Sequence, residues 1–450
     1  MMPQQPTHGG SARSDEATAT AATATNTAAT NTAATAATAT ASTAAAAKNR
    51  APRRRRPRAV AAGALVTIAV AGSYVAAAAL VPLPEPTLRL DVPAEQRFAV
   101  DDAAAQAAVD GQTLPTAVGW LDGDTVWAND DDAHPLASLT KLVTVLVGQE
   151  VEPLAPGEDG PSYTWTEADV EFQAELAEVD GIAFPIPAGI EVTRRELLTL
   201  ALVPSANDFA TAYAHSVFGD TDAFVAAAAD WADREGLESL TVTEPSGIDD
   251  GNVASAPDVL QLARRVLEDP ALAEIVAMEH ATLPWGIGEV ANTNPLLGES
   301  ADAIGVKTGH TELAGYSLAA AAQGEFADRP LVRIAVVLGR DSVEARSDDA
   351  LALLDSLAAM PERRAVVSSG EHLGTLTSID GSRVTLSAAE SFDAVLVPGE
   401  SLTLSVEAGG DALAVTGPDG AQTLAVRRGG SFAEPSLGWR LTHPRELFGL

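Results

Sequence analysis

Hydrophobic and polar positions change rhythm several times along the 450 residues of the chain. Residues 1–47 are Ala, Thr and Asn with almost no large apolar side chain. Such a stretch cannot bury enough surface to offset its ordering entropy, so it is expected to be disordered. Residues 59–81 then run without a charge, and a helix of about 20 apolar residues spans a bilayer core. Pro82, Pro84 and Pro86 make a stiff spacer after it. Alternation predicts a hairpin of residues 116–121 and 125–128 around Asp122-Gly123-Asp124. Helical periodicity begins near Ser138 and returns over Arg194–Leu202, Asn207–Phe218, Thr221–Glu235 and Ala256–Glu268. Strand patterns come back at 303–308, 316–322 and 331–338. Strands, then a block of helices, then strands predict an α+β fold, an antiparallel sheet covered by a helical region. From Arg364 onward, short alternating runs are punctuated by DG, GG and PDG turns, which predict a small all-β domain over 366–450. The last residues, ELFGL, carry no clear amphipathic helix. The expected divisions are a cytoplasmic tail at 1–58, a membrane helix at 59–82, a main domain at 83–365 and the β domain at 366–450.

Composition narrows the function. Asp and Glu number 62 against 28 Lys and Arg, a formal net charge of -34, which argues against nucleic acid because phosphate binding needs a basic face. With no cysteine there is no disulfide, thiol nucleophile or Cys-ligated metal. The charge is also uneven. Lys48, Arg50, Arg53, Arg54, Arg55, Arg56 and Arg58 precede the apolar run, whereas all but two of the acidic residues lie after residue 82. Basic residues before a span place the N-terminus in the cytoplasm and the remainder outside. The run is longer than the 7–15 apolar residues of a secretory signal, which favours a retained single-pass anchor over cleavage at the alanines of 76–79. Lysine is the other oddity. There are three, at 48, 141 and 307, in a chain whose remaining basic residues are arginine.

Two of those lysines sit in short polar motifs. Ser138-Leu139-Thr140-Lys141 opens a helical pattern, and a spacing of three puts Ser138 and Lys141 on one helix face. A serine hydroxyl needs a base to take its proton. A buried lysine can be that base, and an arginine, which stays protonated, cannot. Ser205-Ala206-Asn207 follows the Pro204 break. Taken alone, its Ser and Asn would be helix caps. Lys307-Thr308-Gly309 ends a predicted strand, and glycine there lets a substrate backbone approach closely.

These three motifs, in this order, form the set of the penicillin-recognising serine enzymes. The stretches ASLTKLVT, SANDFA and GVKTGHTELAGYSL resemble the low-molecular-weight penicillin-binding proteins of the D-alanyl-D-alanine carboxypeptidase (serine peptidase S11) family. The resemblance covers about residues 90–365, and the β domain is similar to that family's C-terminal domain. It implies a penicillin-binding/β-lactamase-like transpeptidase domain that uses no cofactor and no metal. It implies that Ser138 attacks the terminal D-Ala-D-Ala bond of a peptidoglycan stem peptide, with Lys141 as general base and β-lactams as inhibitors. Ser205 would relay the proton to the leaving amine, and Asn207 would hold Lys141 and the substrate amide. Lys307 would set a positive potential and Thr308 would bind the terminal carboxylate beside Gly309. The backbone N–H groups of Ser138 and His310 would form the oxyanion hole. Arg340 matches a family arginine that assists with the carboxylate.

The alternatives differ in what they require. A class A β-lactamase has Asp where Ala206 stands and needs a deacylating glutamate, for which no E-x-x-L-N segment follows Ser205. A Ser-His-Asp hydrolase lacks its G-x-S-x-G, and a zinc peptidase lacks paired histidines among the seven present. A non-catalytic wall-binding scaffold has no use for a paired nucleophile and base. A D,D-endopeptidase acting on cross-links shares the acylation chemistry and is the nearest second reading.

Overall fold

The structure, a computed structural model, describes residues 57–179 and 181–450. The expected disordered tail and most of the basic cluster fall outside the described residues. A helix runs over Pro57–Leu80, in place of the expected 59–82. Residues Ala61–Leu80 have a mean hydropathy of 1.9. Leu65, Val66, Ile68 and Val70 point outward, 63–69% exposed, so this is not a core helix.

The central element is a five-stranded antiparallel sheet in the order Ala303–Thr311, Gly315–Phe326, Arg329–Arg340, Thr116–Trp120, Val126–Ala128. Both of its faces are buried, and side chains alternate between two cores. Ala319, Ala321, Ile334, Val336 and Leu338 face the helical region with Leu139, Leu142, Phe209 and Leu260. Leu318, Ala320, Ala335 and Val337 face the other way, against Leu353, Leu354 and Leu357 of the helix Val343–Ala358. Burial on both sides explains why these strands read as continuous apolar runs. The predicted hairpin and the four helices of 194–268 stand where periodicity put them. The helix 343–358 had not been expected.

The helices start on legible signals. Thr193 and Glu196 cap each other's backbone at Arg194–Leu202, and Ser255 accepts from Asp258 N at Ala256–Glu268, where Pro257 occupies the first turn. The helix Thr140–Val151 is the centre of the helical region, with Leu142, Val143 and Val145 fully buried, each contributing roughly 1.5–3 kcal/mol.

A third core belongs to a seven-stranded sheet in the order Thr87–Leu90, His372–Thr377, Arg383–Ala388, Gly420–Arg428, Ala412–Gly417, Ser401–Val406, Glu95–Ala99. Both edges, Thr87–Leu90 and Glu95–Ala99, come from within the expected main domain of 83–365, so the C-terminal sheet is not confined to 366–450. Alternation identified short strands there, but it does not name a strand's partner. Nor is 366–450 all β. It closes on two short helices, Leu437–Thr442 and Pro444–Phe448. Arg440 donates to the carbonyls of Ala78, Ala79 and Val81 at 3.2–3.4 Å, and Tyr74 Oη donates to Leu441 O at 2.7 Å. The guanidinium thus satisfies carbonyls that a helix end leaves without partners. The two sheets are tied by Arg329, whose guanidinium grips Glu400 with two bonds of 2.7 and 2.6 Å.

Candidate active site

A cleft of about 680 Å³ opens between the edge strand Ala303–Thr311 and the helical region. Its lining includes Ser138, Ser205, Asn207, Thr308, Gly309 and His310. The three motifs therefore converge, although 169 positions separate Ser138 from Lys307.

Ser138 lies in a single 3-10 turn, Ala137–Leu139, that feeds the helix Thr140–Val151. Ala137 just before it has φ 48°, and Ser205 has φ 68°. Non-glycine residues in this region cost about 1–3 kcal/mol each and persist where surroundings force them. Gly309 makes the convergence possible. A Cβ there would stand 2.6 Å from Leu136 O, so only glycine lets the edge strand lie against the nucleophile's turn.

Lys141 is fully buried, with Nζ 2.9 Å from Ser138 Oγ and 2.5 Å from Ser246 O. Burial lowers its pKa to about 7, against the opposing pull of Glu244 and then Asp208. An amine near neutrality that donates to the Ser246 carbonyl can direct its lone pair at the serine hydroxyl. Asn207 makes no direct hydrogen bond to Lys141. Its Nδ2 donates to Ser246 Oγ at 3.1 Å and weakly to Ser246 O at 3.4 Å, while its Oδ1 accepts from Ile182 N. Ser205 Oγ is buried in the cleft wall with no protein partner, an available hydroxyl.

Lys307 is also buried, donating to Thr308 O at 3.2 Å and reaching Thr293 Oγ1 at 3.5 Å. Burial, then the nearby Lys141 and Arg346 charges, hold it well below the ordinary lysine range. The Arg346 guanidinium and the two protonatable amines around one cleft make a receptive place for an anion, which would favour the charged form of Lys307. Thr308 Oγ1 pairs with Thr293 Oγ1 at 2.7 Å. His310 stacks on Tyr316, ring centroids 4.0 Å apart.

Arg340 is the residue the structure does not bring to the cleft. It is buried behind the sheet, donating to Asp349 at 2.9 Å and to Pro115 O, Leu338 O and Thr116 Oγ1. Those bonds use its donors for structure. Arg346 lines the cleft instead. It is 6% exposed, Nη1 donates to Gly309 O and Ser317 O, Nε has no protein partner, and Cζ lies 5.6 Å from the Tyr316 ring centroid.

Comparison with known proteins agrees. A family model described as D-alanyl-D-alanine carboxypeptidase matches residues 125–342. The Mycobacterium tuberculosis D-alanyl-D-alanine carboxypeptidase DacB2 is 32% identical over 231 residues, covering 50% of this chain and 75% of that one. The chain belongs to the D-alanyl-D-alanine carboxypeptidase family.

A Pseudomonas aeruginosa D-alanyl-D-alanine endopeptidase is 30% identical over 205 residues, 42% of this chain and 60% of that protein. The chain thus spans less than two thirds of the length of some curated relatives. Among solved structures, penicillin binding protein 6B from Escherichia coli has a TM-score of 0.52 at 22% identity, over 70% of this chain and 93% of that one. Penicillin binding protein 5 from Haemophilus influenzae has a TM-score of 0.51 at 21% identity, over 70% and 97%. These likenesses carry the fold, including the antiparallel sheet with its helical region.

Sequence reasoning missed Ser246, Thr293 and Arg346. Each is a single polar residue in an unremarkable stretch, brought to the site by tertiary contact. For Arg346 a signal existed, since Ser342 begins a capped helix on which it falls one turn in.

Proposed function

We propose that the protein is a serine D,D-carboxypeptidase that removes the terminal D-alanine of peptidoglycan stem peptides through an acyl-enzyme on Ser138. The observation that carries this reading is the fully buried Lys141 amine, 2.9 Å from Ser138 Oγ with a pKa near 7. Lys141 takes the hydroxyl proton as Ser138 Oγ attacks the carbonyl of the penultimate D-alanine. The backbone N–H groups of Ser138 and His310 receive the developing oxyanion. Ser205 passes the proton to the leaving amine, and the C–N bond breaks. Water, with the same amine as base, then releases the acyl group and restores Ser138.

Among the described residues no strand lies beside the outer edge of Ala303–Thr311, so a peptide can align along it by main-chain hydrogen bonds. Thr308 and Arg346 take the terminal carboxylate, with Lys307 behind them. Arg346 replaces the expected Arg340 in this role because it has the free donor in the cleft. A D,D-endopeptidase on cross-links is the second reading, supported by the Pseudomonas aeruginosa relative. The apolar helix Pro57–Leu80 is proposed as a single-pass anchor with the N-terminus cytoplasmic, supported by the basic residues that precede it.

Fluorescent penicillin tests the mechanism. Wild type is expected to be labelled and Ser138→Ala not. Equal labelling of the two, or none of wild type, contradicts it, and rapid turnover of the penicillin points to a β-lactamase instead.

A further inference from the structure

The general base is held by a loop as much as by its own helix. Residues 244–252 contribute the Ser246 carbonyl, which accepts from Lys141, and Ser246 Oγ, which accepts from Asn207. Pro245 O accepts from Thr144 Oγ1 at 2.7 Å, one turn beyond Lys141 on the same helix. Gly247, at φ 81°, lies so close to the nucleophile's turn that a Cβ would overlap the Ala137 carbonyl. One short loop therefore touches the elements that carry Ser138, Lys141 and Asn207.

A single carboxylate shapes this loop. Glu244 accepts from the backbone N–H groups of Ser246 at 2.7 Å, Gly247 at 2.5 Å and Ile248 at 2.9 Å, and from Asn252 Nδ2 at 2.7 Å. Asn252 Oδ1 in turn accepts from Thr243 N at 2.7 Å, closing the far end. Both oxygens of Glu244 face donors alone. Pro245, Ser246 and Gly247 are buried against the nucleophile's turn and its helix. The loop's other side, Glu244 included, borders a cavity of about 260 Å³ that Asp169, Phe172, Thr211, His215 and Ile248 also line.

We propose that Glu244 is a positioning residue for acylation: its carboxylate folds 244–252 into the shape that presents the Ser246 carbonyl to Lys141 and Ser246 Oγ to Asn207. The proposal rests on the reading of Ser138 and Lys141 as nucleophile and base. It has a second consequence, because Glu244 acts on Lys141 by charge as well as by shape. Its charge is the larger of the two that oppose the effect of burial, Asp208 on the neighbouring helix supplying the other. Lys307 faces Lys141 from the edge strand with Arg346 behind it, and His310, Asp250 and Glu312 line the cleft beyond. Glutamine at 244 would turn an N–H₂ toward a backbone donor, so loop and charge would be lost together. Aspartate would keep the charge and shorten the reach.

The test is the second-order rate of acylation by penicillin across pH for wild type, Glu244→Gln and Glu244→Asp. Circular dichroism and melting temperature report whether each is folded. Wild type should lose rate as pH falls through about 7, where Lys141 becomes protonated. Glu244→Gln should be slower by about tenfold or more, a loss of ~1.4 kcal/mol of transition-state stabilisation. The midpoint of its acid limb should also move to lower pH, since removing a negative charge favours the neutral amine. Glu244→Asp should be slower with its midpoint close to wild type. A folded Glu244→Gln with an unmoved midpoint overturns the proposal. If Glu244→Gln does not fold, Glu244→Asp decides: slower acylation supports the proposal and wild-type acylation overturns it. Failure of wild type to acylate is a different result, and it removes the underlying reading instead.

Discussion

Lys141 carries an amine in a place where an ammonium is costly, and this shapes both reactivity and stability. With its pKa at about 7, the base is neutral above that pH and protonated below it, so acylation should fall off on the acid side with a midpoint near 7. The unfolded chain keeps this lysine protonated up to the ordinary lysine value of 10.5. Between about 7 and 10.5 the unfolded state therefore binds a proton that the folded state does not, and this site makes stability rise with pH through that window. Lys141→Met should abolish acylation, raise the melting temperature at neutral pH and remove that part of the slope. A mutant less stable than wild type at pH 7 would show that the amine's bonds to Ser138 and Ser246 outweigh its burial. The lysines were legible because arginine supplies nearly every other cation, so an amine at 141 and 307 stood out. Ser246 and Thr293 were not, because nothing local distinguishes a serine that meets a lysine 105 positions away.

Elements were legible where periodicity was strong and both ends were marked, as in the helices from Thr193 to Glu268. The helix Val343–Ala358 was less legible because its first two turns, Val343–Asp349, are mostly polar or small, and Arg346 lies within them. Two arginines six residues apart now separate by role. Arg346→Leu should weaken acylation and raise KM for carboxylate-bearing substrates, with a smaller loss of melting temperature than Arg340→Leu because it breaks fewer and longer bonds. Arg340→Leu should act mainly on stability, because it leaves Pro115 O, Thr116 and Asp349 without their partner. Steady-state kinetics and thermal melts on the pair check this, and the reverse assignment of effects contradicts it. Gly247→Ala is the element-level test of the loop's approach to Ser138. It should cut acylation by more than about tenfold, ~1.4 kcal/mol, and an active alanine variant would mean that the turn can yield.

At the scale of the molecule, residues 74–99 meet the C-terminal segment. Strands Thr87–Leu90 and Glu95–Ala99 form both edges of the C-terminal sheet, and Arg440 caps the end of the apolar helix. A protein beginning at Glu85 should stay soluble and acylate normally, because the cleft draws nothing from earlier residues. One beginning at Asp101 should aggregate, having lost both edge strands. Glu400→Ala should cost about 1.5–3 kcal/mol by removing the two-bond partner of Arg329 and leaving it only Asp419 and the Val395 carbonyl, seen as a lower denaturation midpoint. Sheet partners and the closing helices were beyond the sequence because alternation fixes a strand's faces and not its neighbour.

The central claim is that Ser138 and Lys141 cleave a D-Ala-D-Ala terminus. Its most direct measurement is the free D-alanine released from a pentapeptide ending in D-Ala-D-Ala, by wild type and by Ser138→Ala. Wild type should release one D-alanine per peptide and the variant none. Release by Ser138→Ala at the wild-type rate, or none by a wild type that penicillin still labels, would contradict it.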